Sequence, residues 1–387
     1  MKDYQRCSLT VMDNIEDPHI KFDGNGICNY YHEYNNAIKL FNKQYHNKNE
    51  ILKNTFLKIL KDTSKQKYNC IIGMSGGVDS SYLCYLAKKY GLNPLVVHVD
   101  NGWNADIAQK NIEKVVNKLD LDLYTHVIDW EEFREMQVAY IKSSVVDIEV
   151  LSDHAINAIL YKQARKWGIK HCLSGNNMQT EFILPRYWTF NKMDIDNIKD
   201  ILKIFGKVHF NQLKTYPYIS PEMLFIYDKL NSVTKFDPLN FIDYQYDEAK
   251  KTLINKLGWE NYGGKHCESI WTRFYQGYIL PKKFNIDKRK AHLSNQIMAG
   301  DLTKEEALNT LEKPPYDIDL INQDYEYILK KLQISKEQFE KYLATPRIEH
   351  TQYKYDKGLR HKYRYINFFL RFFNRKSSEL TTPTSNI

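Results

Sequence analysis

Asn69-Cys-Ile-Ile-Gly-Met-Ser-Gly-Gly-Val-Asp-Ser-Ser81 is the stretch on which the reading of the chain turns. An apolar run, Cys70 to Met74, meets a Gly-rich turn and is followed by Tyr82-Leu-Cys-Tyr-Leu-Ala87, the order of a buried strand, a tight loop and a helix. Gly76 and Gly77 let the backbone turn sharply and bring its N–H groups towards an anion. The helix expected to open near Asp79 adds the positive end of its dipole. Ser75, Ser80 and Ser81 supply hydroxyls at the same point. Together they predict a phosphate cradle, with Asp79 at its lip placed to hold Mg²⁺ through the phosphates. A Gly-Gly pair alone would equally suit an ordinary turn; the strand before it and the helix after it favour the cradle.

The stretch has neither the Gly-x-x-x-x-Gly-Lys-Ser/Thr nor the Gly-x-Gly-x-x-Gly spacing. It matches Ser-Gly-Gly-x-Asp-Ser and so resembles the pyrophosphate loop of the N-type ATP pyrophosphatases. Those enzymes cleave ATP to AMP and pyrophosphate, adenylating an oxygen that a nitrogen or sulfur nucleophile then displaces. The resemblance implies ATP and Mg²⁺, held by Gly73, Ser75, Gly76, Gly77, Asp79, Ser80 and Ser81. It also implies an α/β fold, a doubly wound parallel sheet of the adenine nucleotide α-hydrolase-like type.

The text downstream of the loop predicts the same architecture. Pro94-Leu-Val-Val-His-Val-Asp100, Leu123-Tyr-Thr-His-Val-Ile128 and Ile169-Lys-His-Cys-Leu-Ser-Gly175 read as further buried strands. Helical patterns lie between them, over Ala105 to Leu119, Trp130 to Ser144 and Asp153 to Trp167. Strands alternating with helices imply a parallel sheet wound on both faces, with ligands beyond the carboxyl ends of its strands. Three turns fall there: the Ser75–Ser80 loop, His98-Val-Asp-Asn-Gly-Trp103, and Ser174-Gly-Asn-Asn-Met-Gln-Thr-Glu181. Val97 to Val99 offers a backbone edge for adenine; Gly175 allows close approach, and Asn176 can bond ribose or phosphate. Asp100 reads equally as a nucleotide contact or a turn residue. Ahead of the core, a polar helix is expected over residues 36 to 61. The βα rhythm breaks between Phe182 and Tyr246, where aromatic, Pro-bearing text suggests a substrate-specific excursion.

A second distinctive stretch is Gly258-Trp-Glu-Asn-Tyr-Gly-Gly-Lys-His-Cys-Glu-Ser269, with Thr272-Arg-Phe-Tyr-Gln276 and Ile279-Leu-Pro-Lys-Lys-Phe-Asn-Ile-Asp-Lys-Arg-Lys-Ala-His-Leu-Ser294 beyond it. Its cations suit a diphosphate, or equally a solvated basic helix face. These passages, with Cys7-Ser-Leu-Thr-Val-Met-Asp13 and Ile20 to Asn29, resemble the N-acetyl sugar amidotransferases of surface-polysaccharide and pseudaminic-acid biosynthesis. That resemblance implies an ATP-dependent exchange of an N-acetyl oxygen for ammonia on a UDP- or CMP-linked sugar. It points to Lys265, His266, Lys282 and Arg289 as substrate or pyrophosphate contacts beside Asp79. It further implies a glutaminase subunit and a barrel-type ammonia-channel subunit as partners. The family's head usually carries two Cys-x-x-Cys pairs suited to zinc. Here Cys7 and Cys28 remain but Thr10 and Tyr31 stand at the second positions, so loss of the metal is expected unless His19 or His32 completes the site.

The chain divides into an irregular head over residues 1–35, a helical linker over 36–66, the ATP core over 67–181, a substrate-specific and helical region over 182–345, and a basic aromatic tail over 346–387. At 387 residues and 43% apolar content there is ample core, and no run approaches the roughly 20 apolar residues of a membrane span. Met1-Lys-Asp-Tyr-Gln-Arg6 is followed by no apolar segment, so no secretory signal is expected. Cys70, Cys84 and Cys172 sit on apparent core elements, as reduced thiols of a cytoplasmic protein would. Of the net charge of +8, nine Lys/Arg against two acids between Arg347 and Lys376 supply nearly all. The body is close to neutral and offers no track for nucleic acid, although a pyrophosphate-loop tRNA thiolase or ligase is the rival reading. Interleaved with Phe368, Phe369, Phe372 and Phe373, the tail suits docking onto the body or weak contact with an anionic membrane surface.

Overall fold

The computed structural model describes residues 3–230, 232–262, 268–315 and 317–357. Helices α1 (Asn29–Gln44) and α2 (Lys48–Asp62) precede the core, where the sequence suggests one helix. The break has a packing cause. Tyr45 leaves helical geometry (φ −125°) and turns its ring onto Phe41 and Phe241, 4.8 and 5.2 Å between centroids.

Strands β1 (Cys70–Gly73), β2 (Pro94–Asp100), β3 (Leu123–Val127) and β4 (His171–Leu173) lie within the expected segments. With β5 (Thr234–Phe236) they make a five-stranded sheet, order β3-β2-β1-β4-β5, in which every neighbouring pair is parallel. The fifth strand was not legible: three residues inside the excursion pair with β4, so the sheet extends beyond residue 181. The order reverses direction at β1, which puts the β1 loop at the crevice such sheets use for ligands.

Alternate side chains of the buried strands point to opposite faces. Ile71, Leu95, Val97 and Val99 join one core, with α5 (Trp130–Ser143) and α6 (Val150–Trp167). Cys70, Ile72, Val96 and Leu173 join the other, with α1, α2, α3 (Val78–Lys89), α4 (Asp106–Leu119) and later α10 (Tyr246–Leu257). The sheet is therefore doubly wound. β3 and β5 are the edges, and on β3 Val127 is exposed.

Beyond β4 come the short α7 (Met178–Glu181), then α8 (Ile195–Phe205) and α9 (Pro221–Leu230). After α10, α11 (Ile270–Phe274) runs through a π-helical turn, Tyr275–Ile279, into α12 (Leu280–Phe284). Helices α13 (Arg289–Ala299), α14 (Lys304–Leu311), α15 (Ile318–Leu332) and α16 (Lys336–Ala344) complete the body. The Thr303/Glu306 and Ser335/Gln338 capping boxes start α14 and α16. Residues 347–356 lie along α5 and α8: Tyr353 Oη donates to the Ser143 carbonyl at 2.8 Å, and Asn197 Nδ2 to the Lys354 carbonyl at 3.0 Å. The remainder of the basic tail lies outside the described residues. No helix among those described is long and apolar enough to cross a membrane.

The head is bound to the C-terminal helices. Lys304 Nζ donates to the carbonyls of Cys7 and Ser8, and Lys290 bridges Asp13 and Glu16 at 2.6 and 2.5 Å. Cys7 Sγ accepts from the N–H groups of Cys28 (3.2 Å) and Thr10 (3.4 Å), and Thr10 Oγ1 lies 3.7 Å from Cys28 Sγ. His32 pairs with Asp23, and His19 packs edge-on to Tyr187. Among the described residues no group of three or more His, Cys, Asp or Glu could hold a metal. Two thiols with a hydroxyl between them do not furnish a closed zinc site.

Two buried histidines set an acid limit on stability. His350 stacks on Phe190 (4.3 Å, 2°) with its Nδ1 2.9 Å from Asn197 Oδ1, and burial pushes it down to about 3; burial likewise holds His154 at about 4. Both stay neutral in the fold while the unfolded chain takes up protons below about pH 6.5, so their contribution is present above that pH and lost as pH falls towards the folded values. Buried Glu16, raised to about 7, has the opposite sign between about pH 4.5 and 7. His350→Gln should therefore cost stability at pH 7.5 but lose less on acidification. Its deficit against the wild type in urea unfolding should shrink by about 2 kcal/mol between pH 7.5 and 5.0. An unchanged deficit would mean that folded His350 protonates normally.

Candidate functional site

β1 ends at Gly73, and Met74 N–H makes a last bond to the Val97 carbonyl at 2.8 Å. The chain then leaves the sheet, and α3 begins at Val78 with Gly77 as its cap. Gly76 has φ +87°, and a Cβ there would lie 2.6 Å from the Ala108 carbonyl oxygen in the first turn of α4. Only glycine fits. Ser75 and Ser80 hydroxyls stand 3.4 Å apart; Gly77 N–H reaches Ser75 Oγ at 3.2 Å and Ser75 N–H reaches Ser80 Oγ at 3.4 Å. These bonds are long for their type, so the donors are weakly engaged and converge on one point. Ser81 Oγ is buried, with no hydrogen-bond partner among the described residues.

The other two turns meet this loop. At the end of β2 the buried ring of His98 accepts at Nε2 from Asn104 Nδ2 (3.0 Å), leaving Nδ1–H to donate to the Met74 carbonyl at 2.8 Å. Burial lowers His98, which keeps it neutral in that role. Asp100 accepts from Gly102 N–H (2.9 Å) and Asn104 Nδ2 (3.1 Å), so it shapes the turn. Val97 and Val99 lie within the sheet, paired with Tyr124 and His126. At the end of β4, a Cβ on Gly175 would sit 3.3 Å from the Asp79 backbone, the close approach its glycine permits. Asn176 is exposed beside it, its N–H bonded to Ser174 Oγ.

Trp259, Tyr262 and Glu268 of the later stretch reach the same place. Trp259 Nε1 donates to the Gly76 carbonyl at 3.0 Å. Tyr262 Oη and Glu268 Oε1 both lie 3.3 Å from where a Gly77 Cβ would stand. Backbone bonds from Ala105 N–H to the Glu268 carbonyl and from Ile270 N–H to the Trp103 carbonyl, 2.9 Å each, fasten this stretch along the β2 turn. Asn295 of α13, fully buried, donates to the Thr180 carbonyl and accepts from Ile183 N–H, both at 3.0 Å, and so fixes the β4 turn through α7. Lys331 of α15 donates to the Gly102 carbonyl, its ammonium 4.8 and 4.6 Å from the ring centroids of Trp103 and Trp130. Each of the three turns is thus held by a segment from the last third of the chain.

Residues 268–369 match the family described as LPS biosynthesis protein WbpG-like, C-terminal domain. Among relatives, it is 24% identical over 319 residues to the uncharacterized protein MJ1599 of Methanocaldococcus jannaschii, across 80% of this chain and 94% of that one. It is also 24% identical over 294 residues to the tRNA-specific 2-thiouridylase MnmA of Clostridioides difficile, across 69% of this chain and 78% of that protein. A solved NH3-dependent NAD synthetase from Campylobacter jejuni is similar at TM-score 0.33 and 13% identity, over 77% of this chain and 98% of that one.

Within residues 268–369 the expected cations have partners of their own. Lys282 pairs with Glu340 (3.1 Å) and donates to Tyr278 Oη (2.8 Å). Arg289 forks onto Asp287 and caps the carbonyls of Thr310, Lys313 and Pro314. Both are engaged by the domain itself, where pyrophosphate or substrate contacts were expected; partners brought in from other helices are invisible in a run of lysines. Lys265 and His266 lie outside the described residues, between Tyr262 and Glu268. Neither Trp259 nor Tyr244 was singled out by sequence. Tyr244 donates to Asp79 Oδ1 across 165 positions, and only folding brings them together.

Proposed function

We propose that the chain is an AMP-forming, ATP-dependent amidotransferase acting on an N-acetyl group of a UDP- or CMP-linked sugar in lipopolysaccharide O-antigen or nonulosonic (pseudaminic-type) acid biosynthesis. The observation that carries this reading is the approach of Trp259, Tyr262 and Glu268, the last of them the first residue of the WbpG-like match, to Gly76 and Gly77 of the loop. One face of the site offers glycine backbone, serine hydroxyls and a helix N-terminus; the other is formed by family-specific text.

The donor set fits a polyphosphate. Ser75 is exposed, its hydroxyl 3.4 Å from that of Ser80, and the Gly76–Gly77 turn delivers the chain into the N-terminus of α3. Asp79 would hold Mg²⁺, which would offset phosphate charge and stabilise the departing pyrophosphate. The N-acetyl oxygen attacks the α-phosphorus, the bond to pyrophosphate breaks, and an O-adenylated imidate forms with loss of the amide proton. Ammonia adds to the imidate carbon, the C–O bond breaks, AMP leaves, and an acetamidino group remains. The WbpG-like cover excludes water, which would otherwise regenerate the acetamide.

The nitrogen comes as ammonia made elsewhere. Among the described residues, burial pushes Cys70, Cys84 (about 12) and Cys172 (about 11) up, against thiolate formation, and Cys7 and Cys28 are fully enclosed; Cys267 lies outside the described residues. Glutaminase and barrel-type channel subunits are the proposed partners, and the tail a proposed weak membrane contact. Incubation with ATP, ammonium and a panel of UDP- and CMP-linked N-acetyl sugars should give a product about 1 Da lighter, NH replacing O. Glutamine should not substitute for ammonium with this chain alone. The MnmA likeness favours tRNA modification as the second reading; modified tRNA and unchanged sugars would establish it instead.

A further inference from the structure

The Gly76–Gly77 peptide is fastened from outside its loop. Trp259 Nε1 donates to its carbonyl at 3.0 Å, while its N–H, on the opposite edge of the same planar trans unit, faces Ser75 Oγ at 3.2 Å. Trp259 is 2% exposed, and two elements set its place. Its own backbone N–H closes the end of α10 on the Leu253 carbonyl (3.3 Å), just after Gly258 at φ +68°. Glu260, next in the chain, exchanges two bonds with the fully buried Asn111 side chain. Asn111 Nδ2 donates to the Glu260 carbonyl and Glu260 N–H to Asn111 Oδ1, each at 2.8 Å. Asn111 stands one turn beyond Ala108 on α4, the residue against which Gly76 is packed. One turn of α4 therefore seats both the loop and the segment whose indole bonds to it.

A Gly-Gly peptide needs such a tie. Glycine on both sides removes the Cβ contacts that otherwise select a peptide's orientation, so the unit can turn over between its two Cα atoms. Turned over, it would present a carbonyl oxygen on the side of Ser75, which is exposed and where the ATP reading places phosphate. We propose that Trp259 is a positioning residue for the ATP reaction: its indole N–H holds the Gly76 carbonyl away from the phosphates and keeps the N–H edge of the peptide on their side. The indole touches no reacting atom. It acts through the loop backbone, and the inference rests on the ATP reading above.

The test replaces Trp259 by β-(3-benzothienyl)alanine, in which sulfur stands where the indole has N–H and the ring keeps its size. Dissociation constants for α,β-methylene-ATP and for AMP are measured by calorimetry with excess Mg²⁺. AMP lacks the β- and γ-phosphates, so the ratio of the two constants reports the loop's hold on them. The ratio should move about 10-fold against the ATP analogue, with AMP affinity within about 2-fold of the wild type. The same replacement at Trp271, which is buried and whose Nε1 has no hydrogen-bond partner among the described residues, should leave the ratio unchanged. An unchanged ratio in the position-259 variant overturns the proposal and leaves the ATP site standing. Equal losses for both nucleotides also overturn it, because the indole would then support only the fold. A wild type that binds neither nucleotide overturns the ATP reading, and this inference with it.

Discussion

Gly76→Ala should abolish ATP-dependent turnover while leaving a folded protein. Two costs add at this residue. A side chain at φ +87° costs roughly 1–2 kcal/mol, and the new Cβ would stand 2.6 Å from the Ala108 carbonyl oxygen, a contact no real Cβ tolerates. Ala108 is fully buried in α4, and the Gly76 carbonyl is tied to Trp259, so the strain falls on the loop. A displacement near 1 Å at a phosphate-positioning backbone costs on the order of 100-fold in rate. Gly168→Ala is the control: φ is +64°, but nothing lies within 4 Å of its Cβ. It should lose about 1 kcal/mol of stability and keep its activity. Equal activity in both variants would show that the loop's shape is immaterial to turnover.

Arg273→Leu should be strongly destabilising. Arg273 Nε and Nη2 fork onto Asp324 at 2.6 and 2.7 Å, joining α11 to α15 with Asp324 only 4% exposed. Removing the guanidinium leaves a carboxylate stranded among apolar neighbours, and breaking a buried pair from one side costs about 3–5 kcal/mol. Replacing Asp324 as well, in Arg273→Leu/Asp324→Leu, should recover most of that loss, because no buried charge then remains. Urea unfolding of the single and double variants measures both. A single-variant loss below about 1 kcal/mol would mean that the pair is solvated in solution. Because α11 follows directly on the Glu268–Ile270 strip along the β2 turn, the pair also anchors the cover of the site.

Legibility in the sequence tracked contiguity. The loop could be read because strand, glycines and helix follow one another within thirteen residues, and each local preference favours the same turn. The long apolar runs of β1 and β2 were readable because a strand buried on both faces has no polar alternation. β5 was not, since three residues reading Thr-Lys-Phe carry no period, and their strand state comes from pairing with β4. The division of the first helix at Tyr45 depends on Phe241, almost two hundred positions away. Asp79 was legible as a loop residue, but its partner Tyr244 was not, nor was the contact of Trp259 with Gly76. The partners of the basic run from Lys282 to Lys290 were illegible for the same reason. Glu340, Asp13 and Glu16 arrive from α16 and from the head to meet it.

The central claim is that the Ser75–Ser80 loop directs attack at the α-phosphorus of ATP, and the identity of the nucleotide product tests it most directly. ³¹P NMR of the purified protein with ATP, Mg²⁺, ammonium and the nucleotide-sugar panel should show AMP and pyrophosphate accumulating together in equal amounts. Accumulation of ADP and inorganic phosphate instead would place attack at the γ-phosphorus and contradict the account.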